Sequence, residues 1–475
     1  MERSTGGVRI LSRRVVRPAP ASSPDAAANG APAEPEVMHL TPWDLRMITV
    51  DYIQNGLLLP KPPTAGGGAH VVDELASSFA RALRRFYPLA GRLAAVEVND
   101  GAADSRSLAI ALCCNGEGAE FVHAVAPGVA VSDIAAPVYV PPVVWSLFPL
   151  NGLLGVDAAV ESRPVLAAQV TELADGIFVA MSLNHGVADG STFWHFFNTW
   201  SEINRRRRRG SEGCELSTPP PVLDRWFLDT CPVPISLPLG KPEDIIRRPE
   251  YPPVRECFFH FSAESVKMLK AKANAEMAGA AAAAAATISS LQAVLAHLWR
   301  AVCRARRLAP HRETTYMLLV GCRARVEGIP EAYAGNTVTH AFATSTAGDV
   351  VGGGLGAAAW LLNRAVASFD EAAVRADLAA WAESPWFVYV DPPGHAAAKI
   401  GTGSSPRFDV YGNDFGWGAP VAVRSGAGNK LDGKVTVYEG RGGAGSMALE
   451  ACLSPEALAR LVADEEFMAA VCAAA

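Results

Sequence analysis

The stretch QVTELADGIFVAMSLNHGVADGSTFWHFFNTW, residues 169–200, carries turn, strand, loop and helix signals in one run. Apolar and polar residues alternate on both sides of Asp175-Gly176, a pair suited to a two-residue hairpin turn. Two strands are expected, the second over 177–183, which delivers the chain to Asn184 and His185. After Gly190 a helix is expected. Phe193, Trp194, Phe197 and Trp200 recur at three- and four-residue spacing, as one buried face requires. His185 is thereby assigned to a strand-to-helix loop, where rigid flanks can fix a reactive side chain.

That histidine has two readings. Its unperturbed pKa of about 6.5 suits general-base work on a hydroxyl or amine near neutrality. It also suits a polar residue that only holds a turn. Asp189, four residues on, either orients the imidazole or points away to an arginine elsewhere. No Ser or Cys occupies a nucleophile elbow and no HExxH is present, so a metal site has little support.

Outward from this stretch, helices and strands alternate. Residues 8–16 read as a strand, 17–36 as a Pro/Ala/Ser-rich loop, and Thr41 with Asp44 as a helix start. A helix is expected over 72–86, stopped by Pro88 and Gly91. Five arginines, 205–209, follow the aromatic helix. They read as a solvated helix end rather than an anionic contact, because five adjacent charges cannot be buried. Pro and Gly crowd the chain from there to about 250, which reads as a crossover. The second half opens on the strand VRECFFHFS. A helix follows, then an alanine run (278–286), then a helix capped by Ser289 or Ser290. The reading is a mixed α/β protein: an N-terminal domain over 1–210, a linker over 211–250 and a C-terminal domain over 251–475.

At 475 residues, with 50% hydrophobic and 19% charged side chains, the chain can bury more than one core. The formal net charge of -6 argues against nucleic acid as the main partner. Nine cysteines without a CxxC pair suggest free thiols in a reducing compartment, and a cytoplasmic protein is expected. The first twenty residues hold no apolar run of secretory length, and the alanine run is too short to span a bilayer. No membrane partner is expected, and a monomer is the default.

A second constellation is RFDVYGNDFGWGAPVAVRSGAGNKLDGKVTVYEGRGG, residues 407–443. Gly416 and Gly418 flank Trp417 after Asp414, suggesting a tight turn whose backbone approaches something closely. Arg424, Lys430, Lys434 and Arg441 add positive charge. Glycine turns with cations suit the phosphates of a nucleotide-like cofactor, and they suit ordinary surface hairpins too.

Asn184-His185-Gly186-Val187-Ala188-Asp189-Gly190, paired with Asp-Phe-Gly-Trp-Gly at 414–418, resembles the signature of the plant acyl-CoA-dependent acyltransferases called the BAHD family. Collinear stretches extend the resemblance over nearly the whole chain: VRILSRRVVRPAP (8–20), FYPLAGR (86–92), LFPLNG (147–152), SLQA (290–293), Arg323, Gly335-Asn336 and LEACL (449–453). The resemblance implies two chloramphenicol-acetyltransferase-like domains, each a mixed sheet with helices, with the active site in a tunnel at their interface. It implies an acyl-CoA co-substrate, no permanently bound cofactor and a small-molecule acceptor. His185 would be the base in a ternary complex and Asp189 a structural partner of Arg323. Residues 414–418 would shape the second domain's side of the channel, and Arg424, Lys430 and Arg441 would meet CoA phosphates.

The sequence departs from the family pattern twice. Asn184 stands where many members carry a second histidine, and an asparagine can hold such a turn through backbone hydrogen bonds. Ser404 and Ser405 stand where other members place Ser/Thr-x-Trp on the oxyanion side. These departures keep a second reading open, a lyase or hydrolase acting on a small carboxylated or ester metabolite without CoA. A non-catalytic ligand-binding protein is the third.

Overall fold

A computed structural model describes residues 7–20, 36–63, 67–98, 107–211, 214–278, 287–389 and 398–472. Most of the 17–36 loop and of the alanine run lies outside the described residues.

Three sheets carry the fifteen described strands. The first runs β1 (Arg9–Val16), β6 (Ala119–Ala126), β7 (Leu166–Leu173), β8 (Gly176–Leu183), β3 (Ile53–Pro60) and β13 (Ala422–Ser425). The second runs β11 (Val338–Thr346), β10 (Glu313–Gly321), β12 (Lys399–Ser404), β14 (Lys434–Glu439), β15 (Met447–Leu453) and β9 (Arg255–Phe261). A small third sheet holds β2 (Glu36–His39), β5 (Ser107–Cys114) and β4 (Arg92–Val98). The two large sheets each mix parallel and antiparallel pairs.

Local chemistry explains the main elements. β7 and β8 form the hairpin, with Glu172 opposite Ile177. β8 is buried along its whole length, so its apolar residues are covered on both faces. Asp189 caps the helix Gly190–Arg208 by accepting from the Ser191 and Thr192 N–H groups. The buried face of that helix presents Phe193, Trp194, Phe197 and Trp200 to the first core. Arg205 to Arg208 form its last turn, where cations complement the helix dipole. Arg206 pairs with Glu202, Arg208 with Glu74 and Arg209 with Asp414. In the second half Ser289 caps the helix Ser290–Ala305.

The two halves do not separate at residue 250. β13 leaves the second half and pairs antiparallel with β3, covering what would be an open sheet edge. Phe415, Val423 and Phe258 join the first core. The crossover over 214–250 is irregular, apart from one 3-10 turn, Pro242–Ile245, and isolated bridges from Val222 to Tyr333 and from Leu108 to Leu237.

Candidate active site

The chain turns immediately after β8. Asn184, fully buried, donates from Nδ2 to the Gly155 carbonyl at 2.8 Å and accepts at Oδ1 from the Gly186 N–H at 2.8 Å. Its backbone N–H donates to the Val165 carbonyl. One end of the amide thus ties the His185 turn to a neighbouring loop and the other closes the turn itself. Asn184→Ala leaves the Gly186 N–H buried and unpaired, and leaves the Gly155 carbonyl with only the Ala158 N–H, a loss of about 1–3 kcal/mol. A lowered denaturation midpoint is the expected readout.

Asp189 does not face the imidazole. It is 1% exposed and accepts two hydrogen bonds from Arg323, at 2.6 and 2.9 Å, plus one from the Thr337 N–H at 3.1 Å. Burial alone would push its carboxyl up. The Arg323 guanidinium and the Thr192 and Thr337 N–H groups override this and hold it below the usual carboxylate range. Arg323 also donates to the carbonyls of Tyr333 and Gly335. The arginine of the second half therefore fixes the N-terminus of the helix that follows His185.

Further clamps come from residues the sequence reading gave no role. Asn336 donates from Nδ2 to the His185 carbonyl at 2.8 Å and to Asp44 at 2.9 Å. Arg225, in the crossover, donates to the Val187 carbonyl at 2.9 Å and to the Ala334 carbonyl at 3.1 Å. Its guanidinium lies 3.6 Å from Asp44. The collinear Gly335-Asn336 was visible as a resemblance, but nothing in the local sequence marked Arg225, whose partners are set by the tertiary fold.

The His185 ring is left partly accessible. Its Nδ1 is buried with no partner in another residue, and its own backbone carbonyl stabilises the protonated ring. Burial pulls its pKa below the ordinary imidazole value. Burial outweighs the opposing pulls of the carbonyl, of Asp189 and of the Asn336 side chain, and Lys434 adds a smaller lowering.

The remaining sequence candidates fall in several places. Asp414 accepts from the Gly416 N–H at 2.7 Å and the Gly418 N–H at 2.9 Å, folding residues 414–418 onto itself. Gly416 has φ +107°, and a Cβ there would lie 2.9 Å from the Arg208 side chain. Phe415 packs edge-on against Trp200, centroids 5.2 Å apart, and Asn204 donates to its carbonyl at 2.7 Å. Arg208 lies over Trp417. This segment seats on the aromatic helix and leads into β13.

Arg424 and Lys430 do not suit phosphate contacts, contrary to expectation. Arg424 is buried, lies over Phe258 and donates to the Val423 and Ile134 carbonyls. Lys430 is enclosed by Glu256 and Glu450, with Ser425 Oγ at 2.7 Å. Their glycine-rich neighbourhood suggested exposure, but these side chains fill the seam between the sheets. Arg441 is exposed. Ser404 ends β12 with φ 69°, and Ser405 Oγ accepts from the Arg407 N–H. Phe408, in the same turn, reaches the His185 loop. A Cβ on Gly190 would lie 3.2 Å from its ring. Among the described residues no group of three or more His, Cys, Asp or Glu side chains is placed to hold a metal, and no helix is long and apolar enough to cross a membrane.

Comparison with known proteins bears on this arrangement. The model of a family described as the Transferase family matches residues 27–468. An uncharacterised acetyltransferase of Arabidopsis thaliana is 35% identical over 91% of this chain and 94% of its own. The BAHD acyltransferase DCR of the same plant is 32% identical over 90% of this chain and 88% of its own. Among solved structures, TRI101 of F. graminearum, complexed with coenzyme A and T-2 mycotoxin, superposes with a TM-score of 0.68 at 18% identity. That match covers 92% of this chain and 99% of the TRI101 chain.

Proposed function

The chain belongs to the BAHD family of acyl-CoA-dependent acyltransferases, and from that premise we propose that it transfers an acyl or aroyl group from coenzyme A to a hydroxyl or amine of a small metabolite, with His185 as general base. One observation carries the proposal. His185 sits half-buried on a loop clamped from both halves, with the Asp189–Arg323 pair behind it.

In the proposed step Nε2 accepts the acceptor's proton while the acceptor oxygen or nitrogen attacks the thioester carbonyl. A C–O or C–N bond forms, the C–S bond breaks, and the proton passes from His185 to the departing sulfur. A thioester is already activated, so a base and a polarised carbonyl suffice. Ser404 and Ser405 are the proposed hydroxyl donors toward the oxyanion. Arg441 remains the proposed phosphate contact. Holding both substrates at one site supplies proximity, and excluding water limits thioester hydrolysis. The proposed working state is a cytoplasmic monomer.

The test is CoA release from a panel of thioesters, with and without acceptors. Release that requires an acceptor supports the reading, and turnover that ignores CoA contradicts it. The pH dependence adds a second check. The working base is the neutral imidazole, and burial lowers its pKa, so the neutral form persists to lower pH. The ratio kcat/KM is expected to stay level through neutrality and to fall on the acid side, with the limb centred below 6.5. A limb centred above that value would remove His185 as the base.

A further inference from the structure

Lys434 opens β14 on the face of the second sheet that is only partly covered. On that face His340 of β11 stands opposite Leu319 of β10, and β12 and β14 pair in parallel with Gly401 opposite Lys434. The lysine side chain folds over Gly403 of β12. A Cβ on Gly403 would lie 2.7 Å from Nζ, so only glycine leaves the ammonium this position. The ammonium is near enough to His185 and His340 to lower the pKa of both rings.

The charge around Lys434 is one-sided. Several buried cations have carboxylate partners: Arg46 has Asp377, Arg323 has Asp189, and Lys430 has Glu256 and Glu450; Arg424, which has none, is held by backbone carbonyls instead. Among the described residues no carboxylate pairs with Lys434, and no hydrogen-bond acceptor reaches its Nζ. Burial, and to a smaller degree its charged neighbour Lys430, push its pKa down to about 8 against an opposing pull from Cys452, the direction expected of an ammonium that lacks a carboxylate counter-ion. A partly buried cation within electrostatic reach of the proposed base, with space made for it by a glycine, calls for an anion supplied from outside the chain.

We infer that Lys434, with His340 beside it, is a specificity-determining site for a carboxylate carried by the substrate, on the acceptor or on the acyl group. This rests on the acyl-transfer reading for its location. CoA phosphates are an unsuitable source, since the pantetheine arm separates them from the thioester that meets His185. A single ammonium beside a neutral imidazole matches a monoanion.

Two arms separate the sources of the carboxylate. In one, hydroxy- and amino-acids are compared as acceptors with their methyl esters. In the other, malonyl-CoA is compared with acetyl-CoA. Each is run on the wild-type chain and on Lys434→Met, Lys434→Arg and Gly403→Ala. The inference expects the wild type to favour the charged member of one arm. Lys434→Met is expected to lower that preference by about 10- to 100-fold, chiefly through KM, as loss of a charge-assisted hydrogen bond predicts. Lys434→Arg should retain part of it, and Gly403→Ala should erode it by displacing the ammonium. A wild type that favours the neutral member, or a preference that Lys434→Met leaves within twofold, overturns the inference.

If no thioester turns over, the acyl-transfer reading is what has failed. Thermal shifts with the same acids and esters then decide the site. Stabilisation by an acid, absent with its ester and lost in Lys434→Met, upholds it. No stabilisation by any acid, or equal shifts in both chains, overturns it.

Discussion

His185→Ala is expected to lower acceptor-dependent CoA release by about 10²- to 10⁴-fold, the usual range for loss of a positioned acid–base group. The denaturation midpoint should change little, because the loop is held by its backbone and by Asn184 and Asp189 rather than by the ring. That contrast separates a base from a turn residue. A structural histidine would lose stability and activity together. A rate within a few-fold of wild type would return His185 to the role of a polar loop residue.

Arg323→Met is expected to destabilise the fold by about 3–5 kcal/mol, since it leaves Asp189 buried and unpaired. The pH dependence follows from the sign of the shift. In the wild type the Asp189 carboxyl is held below 3.8, so its contribution is fully present above that value and is lost as pH falls through the lower, folded pKa. Without the guanidinium, burial is opposed only by the backbone N–H groups, so the carboxyl pKa is expected to rise. The deficit of the variant should therefore be largest at neutral pH and shrink as the carboxyl takes up a proton. Arg323→Met combined with Asp189→Asn should recover part of the loss. Denaturant midpoints across pH check all three statements. A variant as stable as wild type at neutral pH would show that the pair does not hold the loop.

Local pattern was enough to read the elements that carry these residues. Asp175-Gly176 marked the hairpin because its turn geometry is local. The aromatic spacing from Phe193 to Trp200 marked the buried helix because one face repeats every 3.6 residues. Asp189 was legible as a residue with two readings, and only the fold shows that it faces Arg323.

Other features depend on which strands meet, and that information is not local. Arg424 and Lys430 looked exposed among glycines, yet they pack where β13, β15 and β9 converge. The packing of Phe415 on Trp200 could not be read from the segment 414–418 itself, because the two lie more than 200 positions apart. Lys434 was visible only as one more cation, because its neighbours Gly403 and His340 lie 31 and 94 positions away in sequence. Asn184 was a departure from a family pattern and proves to be a hydrogen-bonding clamp. That role belongs to the loop's architecture and leaves the substrate to be settled by the other side chains around His185.

The central claim is direct acyl transfer from CoA, and the most direct measurement is a single incubation of purified protein with an acyl-CoA and an acceptor it uses. Acylated acceptor, free CoA and intact protein mass are followed together. The account predicts one acylated acceptor for each CoA released, no release without acceptor, and a protein mass that never carries the acyl group. Product formed without CoA, or an acyl adduct on the protein ahead of product, would contradict it.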